Sequence, residues 1–396
     1  MPSVSLDLDI GVPDTDEIVR FGAIAARSLG VPPERASVWM ARVGARNLRV
    51  VRRGADVVGG LAALPMGHWF GGRAVPCTGI SAVAVATEHR SRGIAAEMMR
   101  TALEEARRDG VPLSSLYPAT FPVYRAAGYE SAGNRFVYRV PLGNIGSGGR
   151  EPEVREARPD DHATLRALYD ARARTLAGPV ERTPYFWTRI FEPFGEDARS
   201  YLVTGDAGPE GYVVVSYKPT PSPLAPNDLP VRDVVARTPG AARRILRLLA
   251  DHRSVARTAT VAAGPGDPLL MHLREERPEM VELQRWMLRV VDVRGALERR
   301  GWSPHVRGEL QLDVRDELLR DNARRWVLEV AGGRAHVREG GSGAVVLDVR
   351  GLASLYAGFM PAEELRVAGL CEGSDADLAR ASALFAGPAP WLADFF

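Results

Sequence analysis

Cysteine is scarce, with two residues in a chain of 396. Cys77 and Cys371 stand far apart and neither belongs to a C-x-x-C pair, so neither a zinc site nor a thiol redox motif is indicated. Both read as small buried residues. Lysine is scarcer still: Lys218 stands alone, and every other basic residue is arginine. Arginine suits phosphate recognition, but the bias runs along the whole chain together with abundant Ala, Gly and Pro, and reads as the composition of a GC-rich genome. An excess of one charge is also lacking. With 51 basic against 49 acidic residues and a net charge of +2, no field points to nucleic acid or to a membrane surface. No window approaches the ~20 apolar residues of a membrane span, and no basic leader with an apolar core opens the chain. A cytoplasmic location is expected. Hydrophobic residues at 45% and charged residues at 25% are those of a soluble globular protein, and the length implies two or three domains.

Gly143-Asn144-Ile145-Gly146-Ser147-Gly148-Gly149-Arg150 reads as a flexible linker, and a softer boundary falls near Val291. Three domains are expected, over residues 1–145, 150–290 and 291–396. In the first, helical patterning near Asp14–Ser28 and Pro32–Met40 precedes strand-like runs at Asn47–Arg53, Val57–Ala63 and Ile80–Ala86. A helix from Gly93 to Asp109, a strand Leu113–Tyr117, a short helix from Pro122 and a strand pair within Tyr129–Val140 follow. The second repeats much of this order. It has strand Glu153–Ala157, helix Asp160–Arg174, hairpin Tyr201–Val203/Tyr212–Tyr217, strand Val231–Ala236, helix Gly240–Asp251, strand Thr258–Ala262 and a short helix Pro268–Glu275. The third carries strand-like Glu309–Val314, Trp326–Val330, Ala335–Arg338 and Ala344–Val349, then helical Gly351–Tyr356 and Ala376–Phe385. The fold class is α/β (α+β) with mixed sheets.

The most informative segment runs from Ile80 to Met99, where an apolar strand enters a short loop that opens a long amphipathic helix. Arg90-Ser91-Arg92-Gly93-Ile94-Ala95 fits R-x-x-G-x-A. Small residues there let backbone approach a ligand, and successive N–H groups converge at the positive end of the helix dipole. Such a site suits a pyrophosphate. The loop has neither G-x-x-x-x-G-K-[ST] nor G-x-G-x-x-G. It closely resembles the coenzyme A pyrophosphate loop of the GCN5-related N-acetyltransferases. In that family the preceding strand, here Val83-Ala84-Val85, pairs its backbone with the pantetheine arm.

Downstream, Ser115 to Glu130 resembles the family's next strand, loop and short helix, ending in Y-x-x-x-G-[FY] at Tyr124-Arg125-Ala126-Ala127-Gly128-Tyr129. Tyr124 is the candidate general acid. A phenol of pKa about 10 is protonated at neutral pH and can donate to a departing thiolate. Tyr117 and Tyr129 sit at strand positions and read as packing residues. The base is harder to find. The seven histidines form no cluster with one another or with carboxylates at ligand spacing, so no metal site is suggested, and His89 reads as a surface or phosphate-side residue.

The tail, Ala386 to Phe396, ends on Trp391, Asp394, Phe395 and Phe396, apolar where termini are ordinarily polar and frayed. A buried free carboxylate there needs a partner. Together with Leu355-Tyr356-Ala357-Gly358-Phe359 and Ala389-Pro390-Trp391, the whole chain resembles the Eis (enhanced intracellular survival) acetyltransferases of actinobacteria.

The resemblance implies an acetyl-CoA-binding acetyltransferase domain, a central acetyltransferase-like domain without the cofactor loop, and a sterol-carrier-protein-like end domain. It implies Phe396 as general base through its α-carboxylate, and Tyr124 as proton donor. The implied acetyl-CoA contacts are Val83, Ala84, Val85, Ser91, Arg92, Gly93, Ile94, Ala95, Ala96, Ala119 and Thr120, with Arg90 added from the motif. A free α-carboxyl is a weak base that apolar surroundings strengthen. The implied assembly is a homohexamer, a dimer of trimers. The expected reaction moves acetyl from acetyl-CoA to a primary amine of a small molecule, aminoglycoside-like or lysine-like, with no metal, nucleic acid or membrane. Phe395 stands where some members carry an acid, and Arg27, Ser28 and Trp39 line the expected pocket wall, which weakens selection for polycations. An apolar-ligand carrier using the end domain and a protein lysine N-acetyltransferase are the competing readings.

Overall fold

The computed structural model describes residues 8–146, 149–217, 227–275 and 278–396. Its contacts divide the described residues into two units: those within 8–133, 285–389 and 395–396 form the first, and those within 134–284 and 390–394 the second. Of the expected linker, Gly143 and Asn144 belong to a short 3-10 turn, Leu142–Asn144, while Ser147 and Gly148 lie outside the described residues.

The first unit opens with β1 (Asp9–Gly11), α1 (Thr15–Leu29), α2 (Pro33–Val43), β2 (Leu48–Arg53), β3 (Asp56–Phe70) and β4 (Arg73–Val85). Next come α3 (Ile94–Arg108), β5 (Leu113–Leu116), α4 (Phe121–Ala126) and β6 (Glu130–Pro141), which passes into the second unit at Asn134. Asp14 starts α1 through a reciprocal capping box with Glu17, which satisfies N–H groups that a helix start leaves orphaned. Strands β1 to β4 are antiparallel neighbours, and β5 lies parallel to β4. Gly60 lets α1 close on the sheet, because a Cβ there would stand 2.8 Å from the Phe21 ring. Helix α3 buries Ile94, Met98, Met99, Ala102, Leu103 and Ala106 on one stripe. Each of its larger side chains contributes about 1.5–3 kcal/mol of apolar burial.

The second unit adds β7 (Glu153–Glu156), α5 (His162–Ala173), β8 (Val180–Glu181), α6 (Pro184–Phe191), β9 (Asp197–Gly205) and β10 (Gly208–Tyr217). It continues with β11 (Asn227–Ala236), α7 (Pro239–Asp251), β12 (Ala256–Ala262) and β13 (Glu279–Val290), which enters the first unit at Arg285. The order across its sheet is β7, β9, β10, β11, β12, β6, with β11 and β12 parallel. Back in the first unit, residues 287–290 of β13 pair with β5. Then follow α8 (Val293–Arg299), β14 (Gly308–Arg315), β15 (Arg325–Ala331), β16 (Arg334–Glu339), β17 (Val345–Asp348), α9 (Val349–Ala357), α10 (Ala362–Val367), β18 (Cys371–Glu372) and α11 (Asp375–Phe385). Their five strands form a separate sheet in the order β16, β15, β14, β17, β18.

Three readings are corrected. The pair expected within Tyr129–Val140 is the single strand β6. The helix expected at Pro268–Glu275 shrinks to a 3-10 turn at Leu270–His272, because Gly264-Pro265-Gly266-Asp267-Pro268 supplies turn residues where a helix would need an uninterrupted start. Strand β13 has no counterpart among the expected elements. Both cysteines are free and buried, as expected. Among the described residues, no helix is long and apolar enough to cross a membrane.

Candidate active site

The site begins with a break in register. Ala62 of β3 pairs with Ser81 of β4, but Gly60 pairs with Ala84, so one extra residue bulges from β4. Ala82 takes it up at φ +50°, a left-handed backbone that alanine adopts only under constraint. The bulge bends the end of β4 just where β5 stops: the last β4–β5 pair is Ile80 with Leu116. From Ser81 to Val85 the strand has β3 on one side and no strand on the other. Val83 and Val85 are half-buried there, and Ala84 is buried. Parallel strands that part in this way leave a cleft at their carboxyl ends, where α/β sheets take ligands.

Beyond the strand, Thr87–His89 makes a 3-10 turn, Ser91 stands at φ +60° and Gly93 at φ +82°, and α3 starts at Ile94. No side chain caps this helix, so the N–H groups of its first turn remain available to an anion. Arg90 braces the loop by donating to the Val85 carbonyl at 3.2 Å and to Ser28 Oγ at 3.3 Å. Arg90, Ser91, Arg92, Gly93 and Ala96 are exposed, Ala95 is half-buried, and Ile94 points into the core. Ala119 and Thr120 are exposed ahead of α4. These residues fit an anionic chain that runs from the loop into the cleft.

Tyr124 lies on α4, 6% exposed, with its ring edge-on to Tyr129 at 6.4 Å. Burial pushes its phenol above the ordinary value. Among the described residues its hydroxyl makes no hydrogen bond, whereas the Tyr129 hydroxyl is paired with Ser114 Oγ at 2.7 Å. The packing role expected of Tyr129 therefore fits, and the free donor is Tyr124. Just behind α4, the buried Glu130 carboxylate accepts from Arg125 at 2.9 Å and from Arg350 of α9 at 2.7 Å. Burial pushes that carboxyl up, but the two guanidinium groups and the Ser131 N–H overcome it and hold it below the usual range.

Phe396 is 6% exposed. Its ring covers Gly79, where a Cβ would come within 3.2 Å of it. Gly79 and its β5 partner Ser115 sit one step before the strands part. The ring also meets Tyr117 edge-on at 5.4 Å, and the Phe395 ring lies tilted against the same tyrosine at 4.7 Å. Tyr117 is thus a contact of the tail rather than a residue of the strand interior. In the same unit lies a polar pair that no sequence motif marks: fully buried His68 shares a hydrogen bond with Ser115 Oγ at 2.8 Å and stacks on Trp286. Asp394 is not available as a base. Arg182 binds it at 3.0 Å within the second unit, where Arg182 also holds Asp233.

An acetyltransferase (GNAT) domain model matches residues 12–132, another acetyltransferase (GNAT) domain model matches 178–290, and a sterol carrier protein domain model matches 293–393. The chain is therefore an N-acetyltransferase built from two GNAT domains and a sterol-carrier-like domain. An uncharacterized N-acetyltransferase of Streptomyces griseus is 31% identical over 363 residues, spanning 82% of this chain and 83% of that one. The N-acetyltransferase Eis of Mycobacterium tuberculosis is 28% identical over 388 residues, 91% of this chain and 92% of that one. A crystal structure of a GCN5-related N-acetyltransferase from Anabaena variabilis superposes with a TM-score of 0.93 at 33% identity, covering 98% of this chain and 100% of that one. The chain belongs to the Eis-like GCN5-related N-acetyltransferases.

Proposed function

We propose that the protein transfers acetyl from acetyl-CoA directly to a primary amine of a small molecule, aminoglycoside-like or lysine-like, in a ternary complex. The carrying observation is the meeting of three features at one place in the first unit. These are the parting of β4 from β5, the uncapped start of α3, and a buried aromatic residue, Phe396, seated over Gly79. The pyrophosphate lies on Arg90–Ala96, the pantetheine arm runs along Val83–Val85, and Ala119 and Thr120 flank the thioester end. The α-carboxylate of Phe396 takes the proton of the amine, which then attacks the acetyl carbonyl. Tyr124 returns a proton to the departing sulfur, its burial keeping the phenol protonated well past neutrality.

The central domain repeats the parted strands without the loop. There Thr238 caps α7 with its own hydroxyl, which accepts from Ala241 N at 3.1 Å, and Pro239 at the first helical position has no N–H to offer. This supports a single acetyl-CoA site per chain. A cytoplasmic homohexamer belongs to the same proposal; light scattering that returns a monomer would remove the hexamer. The experiment that fixes the substrate is a panel of aminoglycosides, polyamines and lysine derivatives, scored by release of free coenzyme A thiol. Turnover with none of these amines, but with protein lysines, would overturn the small-molecule reading.

A further inference from the structure

The second unit holds a cavity of about 450 Å³, a size within the range of small-molecule sites. Its floor is a strand edge. The parallel pairing of β11 with β12 ends at Val231 and Val261, and β12 then turns away as Ala263 donates to Phe136 of β6. Strand β11 runs on to Ala236 with β10 beside it, so over Arg232–Ala236 its other edge faces the cavity. Alternate residues of such an edge aim unpaired N–H and C=O groups outward. Five residues of strand span about 16 Å, room for two or three amide groups.

The walls favour an extended chain over water. Leu176, Val261, Ala263 and Leu269 supply apolar surface. Trp391 of the tail closes one side, so close to Gly264 that a Cβ there would lie 2.7 Å from its indole nitrogen. The charges are uneven. Asp233 is taken by Arg182 and by the Tyr212 hydroxyl. Asp267 caps the Leu269 N–H and stands 3.7 Å from Arg172. Arg237, one residue past the open edge, makes no side-chain hydrogen bond or ion pair among the described residues, and His272 lines the same cavity. The lining is therefore net positive where β11 ends. A nucleotide diphosphate is not the match, because Thr238 and Pro239 close the start of α7.

We propose that this cleft is a second binding site, for an extended amide-bearing chain with an anionic end: the amides pair with the edge of β11, and the anion meets Arg237. Two sources share that chemistry, a phosphopantetheine arm and a short peptide carboxylate. The test is calorimetric titration of the full-length protein carrying one equivalent of coenzyme A per chain, enough to fill the first-unit site only. One arm uses 4′-phosphopantetheine and the other N-acetyl-Ala-Val-Ala. The expected result is one further site per chain for at least one probe, weakened about tenfold or more in Arg237→Glu and abolished in Val234→Phe, which fills the cleft. Acetyl-CoA binding stays unchanged in both variants. The two arms tell the sources apart. No binding of either probe over the coenzyme A background, or binding that both variants leave intact, would overturn the proposal.

Discussion

The ring of Phe396 stands edge-on to that of Tyr117, with centroids 5.4 Å apart and planes at 66°. Aromatic pairs in this geometry add about 0.5–1.5 kcal/mol beyond the area they bury. Phe395 holds the same tyrosine at 4.7 Å, so the last two side chains of the sequence grip one residue between β5 and α4. In the proposed mechanism this packing is what positions the main-chain carboxylate as base, with no flexible arm. Tyr117→Ala should loosen it: turnover falls several-fold or more while acetyl-CoA affinity holds. Steady-state kinetics beside calorimetry would check this.

Tyr124→Phe should lower kcat by about 10²–10⁴-fold, the usual worth of a general acid, with acetyl-CoA binding intact. Because burial raises the phenol above its ordinary value, the limb of the pH–rate profile that reports its ionisation should lie above about pH 10. A tyrosine-dependent limb near neutrality would contradict this assignment.

Glu130 joins α4 to α9. Its carboxylate ties Arg125, the neighbour of Tyr124 on α4, to Arg350 of α9. Glu130→Gln leaves two guanidinium groups short of their counter-charge and should cost about 1–3 kcal/mol of stability. It should also lower kcat more than it raises KM, a split that a purely structural role would not produce. Denaturant melts and Michaelis curves on the same preparation separate the two effects.

In the second unit, Arg182 carries two carboxylates and lies against the rings of Tyr169 and Trp187. Removing one partner of a buried ion pair is far costlier than removing an exposed one. Arg182→Met strands Asp233 and Asp394 together and should destabilise by about 3–5 kcal/mol, read as a lower denaturant midpoint. Asp394→Asn, which leaves the Asp233 pair in place, should cost less.

Glu17 offers a pH test. Its hydrogen bond from Arg52, with the Asp14 N–H, lowers the carboxyl from 4.5 to about 2. A lowered folded value means that its stabilisation is complete above the unfolded value and is lost as the pH falls through the folded one. The stability gap between wild type and Glu17→Gln should therefore be constant above pH 4.5 and close between about 4.5 and 2.

Local pattern carried much of the fold and of the elements around the cleft at the end of β4. The helix from Ile94 shows a full apolar stripe, and glycine and alanine at its start mark an uncapped turn, so strand, loop and helix are legible together. What was missed depends on partners far along the chain. Strand β13 escaped because Arg289 interrupts its apolar run; the arginine is fully buried only because Asp316, 27 residues on, holds it at 2.8 Å. His68 is a lone histidine in sequence, and its partner Ser115 lies 47 residues away. The bulge at Ala82 leaves no composition signal either, since alanine is not a residue that announces a left-handed backbone.

The most direct measurement compares three chains: the natural one, one lacking Phe396, and a semisynthetic one in which the Phe396 α-carboxylate is a carboxamide. The carboxamide keeps the ring over Gly79 and removes only the base. Turnover with a saturating primary amine should fall at least about 100-fold in both altered chains, with the acetyl-CoA dissociation constant unchanged. Full turnover in the carboxamide chain would contradict the account.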